Sequence, residues 1–204
     1  WRSEQARFLI AHSRRGDWRA ALAPVSTSGW DGVDWSRAER RAYTVAVRLL
    51  WRYAARHGDP IVLACDEPLL GNPLPVFLDG RLISQDLANA ALETAAIVRA
   101  LDQPPRRIIE IGGGYGRTAY ALLHRFPEAC YTIVDIEPAA SIARWYLGEL
   151  FPGRVEVLDP GELVSGSFDL GVSISTLPEM HPSQIDAYLA LLDRVCAGGV
   201  VYLK

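Results

Sequence analysis

From Arg106 onward the sequence alternates between short apolar segments and longer segments with helical periodicity. Parallel strands require a crossover between them, so this rhythm predicts βαβ units and a parallel sheet covered by helices. We expect a doubly wound α/β sheet that binds ligands beyond the carboxyl ends of its strands. The predicted strands are residues 106–112, 131–136, 154–159, 167–175 and 198–204, and the predicted helices are residues 116–126, 138–151 and 183–197.

Two details of this pattern can be checked separately. The link between the third and fourth predicted strands contains no clear helical segment. Ser183, with Asp186 three residues later, is the expected start of the last helix.

The residues before this sheet are predicted to be mainly helical. Ser36 and Glu39 have the spacing of a capping box ahead of a helix over residues 37–57, and Trp51 lies on the face of that helix expected to pack. Residues 59–80, which are rich in proline and glycine, predict a linker or a hairpin-like excursion.

A second helix in this part begins at Ser84 and is ended by Pro104 and Pro105. We therefore divide the chain into a helical extension or lid over residues 1–103 and a Rossmann-like domain over residues 104–204. The last strands of such a domain are expected to lie beyond Lys204.

Composition excludes several classes of protein. The chain has 204 residues, of which 50% are hydrophobic and 22% charged, which is typical of a globular protein of one or two domains. A net charge of -3 gives no indication of nucleic-acid binding. No apolar segment approaches the roughly 20 residues of a membrane-spanning helix, and no signal-peptide core follows the charged start, so we expect a cytoplasmic protein.

Three cysteines without a CxxC spacing indicate neither a disulfide framework nor a zinc site. Cys65, Cys130 and Cys196 are expected to be small buried residues.

A glycine-rich turn follows the first predicted strand of the sheet and leads directly into a helix. Such a turn brings backbone N–H groups close to a ligand at the positive end of a helix. A dinucleotide fingerprint would need a glycine where Arg117 stands. The spacing present is instead E-x-G-x-G-x-G, formed by Glu110, Gly112, Gly114 and Gly116. It resembles the first motif of class I methyltransferases, which implies that Glu110, Gly112, Gly114 and the neighbouring Tyr115 hold the methionine part of S-adenosylmethionine.

Acidic residues end the next two predicted strands. Asp135 follows the second strand, where a carboxylate can accept both hydroxyl groups of a ribose. Asp159 ends the third strand, and the same resemblance implies that it reads the amino group of adenine. Ile136 would lie against the adenine ring, although a buried residue at a strand end is the alternative. Ser173, in the fourth strand, belongs to the same candidate cofactor site.

The segment after the fourth strand carries the candidate catalytic residues. It lacks the [DNS]-P-P-[YFW] motif of nucleobase amino methyltransferases, so base methylation is disfavoured. A hydroxyl becomes a good nucleophile only when its proton is removed, and His181 and Glu179 offer an imidazole and a carboxylate for that role. His181 is the preferred base, and Glu179 would orient the sugar or the histidine. The alternative is that His181 only shapes the turn into the last helix.

The chain resembles the sugar O-methyltransferases of bacterial polysaccharide and glycan gene clusters. The segments that carry the resemblance are EPLLGNPLPV (67–76), ISQDLANA (83–90), EIGGGYGRTAYAL (110–122), the FP…YTIVDIEP stretch (126–138) and STLPEM (175–180). The resemblance implies methyl transfer from S-adenosylmethionine to a carbohydrate hydroxyl, with a methylmannose-type polysaccharide as one such substrate. It also implies that Ser84 and Gln85 lie near the cofactor carboxylate.

Three matters stay open at this point. A divalent cation such as Mg²⁺ is an option for acidifying the hydroxyl, but the carboxylates of Asp159 and Glu179 are too few to assign a metal site. A homodimer is neither required nor excluded. The functional alternatives are an O-methyltransferase of a non-sugar small molecule and a non-catalytic protein that binds S-adenosylmethionine as an interaction module.

Overall fold

The structure is a computed structural model that describes residues 36–71, 74–162 and 164–204. Residues 1–35, predicted to be helical, lie outside the described residues together with four of the six tryptophans. The chain divides into two compact units, Trp1–Ala96 and Ile97–Lys204. None of the described helices is long and apolar enough to cross a membrane.

The first described helix, α1 (Arg37–His57), begins and ends where the sequence predicts. The Ser36 hydroxyl accepts the N–H of Glu39, and the Glu39 carboxylate accepts the N–H of Ser36 at 2.7 Å, which forms the predicted capping box. Trp51 is buried, as expected, and its indole N–H donates to the backbone oxygen of Ser84 at 2.6 Å. The prediction that the face carrying Trp51 packs is therefore confirmed.

The proline- and glycine-rich segment contains a short helix and a hairpin. Helix α2 (Pro60–Ala64) is capped by Asp59, and strands β1 (Val76–Leu78) and β2 (Arg81–Ile83) pair antiparallel. Asp79 and Gly80 at the hairpin turn both have positive φ, 51° and 80°, which is the type I′ geometry that joins two strands most tightly. The expected hairpin is confirmed, whereas helix α2 was not predicted.

The second long helix of this unit is α3 (Gln85–Ala100), which continues into the following unit. The Ser84 hydroxyl accepts the N–H of Leu87 at 3.0 Å and is the predicted N-cap.

The second unit is an alternation of strands and helices around one sheet. Its elements are β3 (Arg107–Ile111), α4 (Arg117–Arg125), β4 (Cys130–Val134), α5 (Ala139–Leu150), β5 (Val155–Leu158), β6 (Leu170–Ser173), α6 (Pro182–Val195) and β7 (Val200–Leu203). Between β5 and β6 the described residues form no helix, as the sequence indicates.

The sheet has five parallel strands in the order β5-β4-β3-β6-β7. The chain moves outward from β3 to β5 on one side and then returns to β6 beside β3. The point where the direction reverses, between β3 and β6, is the place where open α/β sheets bind their ligands. The predicted doubly wound sheet is confirmed.

One face of the sheet packs against α6. The buried apolar cluster there includes Ile109 and Ile111 of β3, Phe168, and Leu192 and Val195 of α6. Cys196 belongs to the same cluster and is buried as expected, whereas Cys130 is exposed and Cys65 half-buried. The expectation for Cys130 is wrong because the residue begins β4 at the rim of the sheet.

Candidate functional site

The glycine turn after β3 lies at the carboxyl end of the central strand, beside the end of β6. The N–H of Gly112 donates to the backbone oxygen of Val134 at 2.9 Å, which ties the turn to the neighbouring strand β4. Gly112 has φ of 75°, and a methyl group on it would lie 2.1 Å from the Cγ2 atom of Thr176. Only glycine satisfies both the conformation and the close approach.

Gly114 lies at the open side of the same turn. Its φ is 57°, and a Cβ atom there would have nothing within 4 Å. The turn therefore leaves open space beside Gly114, ahead of helix α4, in which a polar ligand group could lie.

Asp135 lies against this turn, as its position at the end of β4 predicts. One carboxylate oxygen accepts the N–H of Gly114 at 2.7 Å, and the other accepts the N–H of Ile136 at 2.7 Å. Burial raises the pKa of Asp135 above its ordinary value, against the effect of these two hydrogen bonds. The predicted pair of glycine turn and acid is therefore brought together.

Ile136 is 63% exposed. The alternative of a buried strand-end residue is wrong, because the chain leaves the sheet at Val134 and carries Ile136 out to the surface beside Asp135. An exposed aliphatic side chain next to a carboxylate offers an apolar surface at the mouth of the site.

Glu110 is fully buried and lies beneath the glycine turn. Its carboxylate accepts a hydrogen bond from the Tyr131 hydroxyl at 3.0 Å and is also hydrogen-bonded to the side chain of Thr118. The Oε2 atom is 3.0 Å from the place that a Cβ on Gly113 would occupy. Burial raises the pKa of Glu110 to about 7 and raises that of Tyr131 well above its ordinary value, so the tyrosine remains the hydrogen donor.

Glu110 was predicted as a cofactor-binding residue, whereas its hydrogen-bond partners here belong to the protein. Tyr131 and Thr118 were not singled out from the sequence. The sequence carried no signal for Tyr131, because it is the register of the folded sheet that pairs it with Ile108 and places it on the same face as Glu110.

Two other predicted cofactor residues are held by protein groups. The Tyr115 hydroxyl accepts from Arg117 at 2.9 Å, and its ring meets that of Tyr146 edge-on at 5.4 Å between centroids. Ser173 is completely buried, and its hydroxyl donates to the backbone oxygen of Ile111 at 3.2 Å. The serine joins β6 to β3 immediately below the turn.

Asp159 is exposed at the end of β5. Its carboxylate pairs with Arg144 at 3.0 Å, and Arg144 also pairs with Glu137 at 2.9 Å. The N–H of Asp159 donates to Glu162 at 2.6 Å. This residue follows the strand next to Asp135, on the same edge of the sheet.

The segment after β6 passes over the glycine turn and carries the candidate catalytic residues. The Thr176 hydroxyl lies 3.0 Å from the backbone oxygen of Gly112 and 3.1 Å from that of Ile174. Glu179 follows in a 3-10 turn over Leu177–Glu179 and is exposed. Thr176 was not predicted; its position immediately after a central strand was the available signal.

His181 is the N-cap of α6, so the expectation that Ser183 starts this helix is wrong. The N–H of Ser183 donates to Nδ1 of His181 at 3.3 Å, and the N–H of His181 donates to the Gln184 side chain at 3.0 Å. Pro182 explains the difference. Proline is favoured at the first position of a helix, so α6 begins at Pro182 and the residue before it, His181, is the cap. The same Nδ1 atom lies 2.8 Å from the Ser183 hydroxyl, and which of the two groups donates there is set by the tautomer of the ring.

Gln85 lies in the other unit of the chain, as the first residue of α3. The preceding Ser84 hydroxyl donates to the buried carboxylate of Glu67 at 2.5 Å. The role of Gln85 at a cofactor stays a prediction.

No three histidine, cysteine, aspartate or glutamate side chains are grouped to hold a metal ion among the residues that the structure describes. Asp159 pairs with Arg144, and Glu179 stands in a different loop.

A parallel sheet of this order, with a glycine turn after its central strand and an acid after the next, is the Rossmann-like fold of class I methyltransferases. No protein-family model matches the chain. Over 96 residues, 46% of the chain, it is 38% identical to the malonyl-[acyl-carrier protein] O-methyltransferase of Geobacter sulfurreducens. The chain covers 33% of that curated relative.

The fold is shared with a solved methyltransferase structure. Coclaurine N-methyltransferase bound to N-methylheliamine and SAH is 15% identical and superposes with a TM-score of 0.51, over 98% of this chain and 55% of that one. The glycopeptide N-methyltransferase MtfA complexed with S-adenosyl-L-methionine is 16% identical, with a TM-score of 0.47, over 56% of this chain and 48% of that one.

Proposed function

We propose that this chain is part of an S-adenosylmethionine-dependent O-methyltransferase. The observation that carries the proposal is the contact between Gly114 and Asp135, 2.7 Å from the amide nitrogen to a carboxylate oxygen, at the carboxyl ends of β3 and β4. It places the glycine turn and a carboxylate side by side, where a cofactor with a charged amino-acid end and a ribose would bind.

The residues present fit that cofactor in several respects. The open side of Gly114 leaves room for the methionine part, and Asp135 is a bidentate acceptor for the ribose hydroxyls. The exposed side chain of Ile136 would cover one face of adenine, and Asp159 would accept from its amino group. When bound, the cofactor supplies an electrophilic methyl group; the chain holds it in line with an acceptor.

We propose a hydroxyl of a sugar, in a glycan or polysaccharide precursor, as the acceptor. The resemblance of residues 67–76, 83–90 and 175–180 to sugar O-methyltransferases supports this class. The segment after β6 would present the hydroxyl to the methyl group, because it leaves the sheet beside the glycine turn.

We further propose that Glu179 or His181 removes the proton of the hydroxyl. Nδ1 of His181 is engaged by the hydroxyl and the N–H of Ser183 at the start of α6, so a proton can be taken up at that nitrogen only after the ring leaves the helix cap. The exposed carboxylate of Glu179 can accept a proton without that rearrangement. Glu179 is therefore the better candidate in this conformation.

The test is transfer of labelled methyl from S-adenosylmethionine to a panel of mono- and oligosaccharides, with and without chelator. We expect labelling of a saccharide, about a 100-fold loss of kcat in Glu179→Gln, and less than about tenfold in His181→Asn, which keeps a good N-cap. The reverse order would assign the base to His181. Binding of S-adenosylhomocysteine without labelling of any saccharide would refute the sugar proposal.

A second candidate acceptor is a carboxylate carried by an acyl carrier protein. It is favoured by the 38% identity to the malonyl-[acyl-carrier protein] O-methyltransferase over 96 residues. A carboxylate is already ionised near neutral pH and needs no base. Labelling of malonyl-acyl carrier protein that persists in the double variant Glu179→Gln/His181→Asn would support this reaction over sugar methylation.

A further inference from the structure

The side chain of Thr176 connects the segment after β6 to the glycine turn. The Thr176 hydroxyl lies 3.0 Å from the backbone oxygen of Gly112, and its Cγ2 atom fills the space beside that glycine. Thr176 stands at the N-cap of a 3-10 turn, yet its hydroxyl makes no capping hydrogen bond there. A threonine at an N-cap ordinarily caps its own turn, whereas this hydroxyl is directed at the backbone oxygens of Gly112, at 3.0 Å, and of Ile174 in its own segment, at 3.1 Å.

The residue before it adopts an unusual backbone conformation. Ser175 has φ of 58°, which is uncommon for a residue other than glycine. Its N–H donates to the backbone oxygen of Lys204 at 2.8 Å, next to the edge strand β7. A disfavoured conformation persists only where its surroundings impose it, and here it directs Thr176 at Gly112.

The other end of the segment is also fixed. Met180 packs against the apolar cluster between the sheet and α6, and its N–H donates to the backbone oxygen of Leu177 at 3.1 Å. Between Thr176 and Met180, the exposed Glu179 is carried on a short turn held at both ends.

We propose that Thr176 is a positioning residue that couples occupancy of the glycine turn to the placement of the segment carrying Glu179 and His181. The proposal rests on the function proposed above. A ligand that orders the turn fixes the Gly112 carbonyl oxygen, and the Thr176 hydroxyl transmits that order to the segment. The cofactor side and the acceptor side of the site would then be assembled together.

The test uses two variants of the whole chain. Thr176→Val keeps the shape of the side chain and removes the hydroxyl, whereas Thr176→Ser keeps the hydroxyl. The measurement is amide hydrogen exchange by NMR, with and without saturating S-adenosylhomocysteine. It is followed at Gly114, which donates to Asp135 in the turn, and at Glu179, which donates to the backbone oxygen of Thr176.

In the unsubstituted chain we expect the ligand to slow exchange at both amides. In Thr176→Val, the ligand should still slow exchange of the Gly114 amide. The factor by which the ligand slows exchange of the Glu179 amide should fall by about fivefold, which corresponds to the loss of one hydrogen bond. Thr176→Ser should restore the effect. A role in folding alone would change exchange equally with and without ligand.

Two results would overturn the proposal: an undiminished ligand effect at Glu179 in Thr176→Val, or a loss in Thr176→Ser as large as in Thr176→Val. If the ligand leaves Gly114 of the unsubstituted chain unprotected, the proposed cofactor function fails and the coupling fails with it. The contact between Thr176 and Gly112 is then tested without ligand. If it exists, the amide of Glu179 should exchange about fivefold faster in Thr176→Val than in the unsubstituted chain. Unchanged exchange there would refute the contact as well.

Discussion

The glycine turn after β3 and the segment after β6 leave the same edge of the sheet but are built in different ways. The turn is fixed by close contacts, with Gly112 against Thr176 and Glu110 buried beneath Gly113. The candidate catalytic side chains of the segment, Glu179 and His181, are exposed. Substitutions in the turn should therefore cost folding as well as binding, whereas those in the segment should leave folding almost unchanged.

The largest effect is expected for Gly112→Ala. The methyl group meets Thr176 at 2.1 Å on a backbone with φ of 75°, so strain and overpacking together should lower the free energy of unfolding by about 2–4 kcal/mol. Gly153→Ala is a matched control, because Gly153 has the same φ of 75° with nothing within 4 Å of its Cβ position. It should cost about 1 kcal/mol. Equal losses in urea unfolding of the two variants would contradict the close contact.

The next effect concerns the buried carboxyl group beneath the turn. Burial raises the pKa of Glu110 to about 7 from 4.5, so the folded chain holds a proton that the unfolded chain releases at lower pH. The contribution of this group to stability is complete below about pH 4.5 and is lost as the pH rises through about 7. Glutamine does not ionise, so Glu110→Gln should not show this decrease in the free energy of unfolding, which is on the order of 2–3 kcal/mol at about pH 8.

The measurement is urea unfolding at about pH 5 and about pH 8. The difference between the two should be smaller in Glu110→Gln than in the unsubstituted chain. Glu128→Gln is the control, since Glu128 is exposed in the loop after α4 and should leave the difference unchanged. A pH dependence that survives in Glu110→Gln would show that another group causes it.

The same contrast explains how far the sequence could be interpreted. The parallel sheet, the glycine turn and an acid at the end of the next strand were predictable because strand periodicity and glycine spacing specify backbone geometry directly. The partners of Glu110 were not, since they depend on which side chains share a face of the folded sheet. His181 was interpreted as a base, and its role as helix cap depends on Pro182 fixing where α6 begins.

An intermediate effect, mainly on binding, is expected for Asp135→Asn. The single amide oxygen of the variant can accept the N–H of Gly114 or that of Ile136 but not both, and the variant loses the charge that would bind the ribose hydroxyls. The dissociation constant for S-adenosylhomocysteine should rise about 10- to 100-fold in calorimetry. Asp159→Ala provides the comparison within the site. It should weaken binding by less than about tenfold and leave unfolding unchanged, because its ion pair with Arg144 is exposed. A change of twofold or less in Asp135→Asn would refute the ribose role.

The smallest effect is expected at the helix cap in the exposed segment. His181→Ala removes the side chain that accepts the N–H of Ser183, so it should cost about 1 kcal/mol in urea unfolding. His181→Asn should cost less than about 0.5 kcal/mol, since asparagine is among the best N-cap residues. Equal stability of both variants would mean that the cap contributes nothing in solution, and the imidazole would then be free to serve as the base. A difference between them would confirm that the imidazole caps α6, which favours the carboxylate of Glu179 as the group that takes the proton.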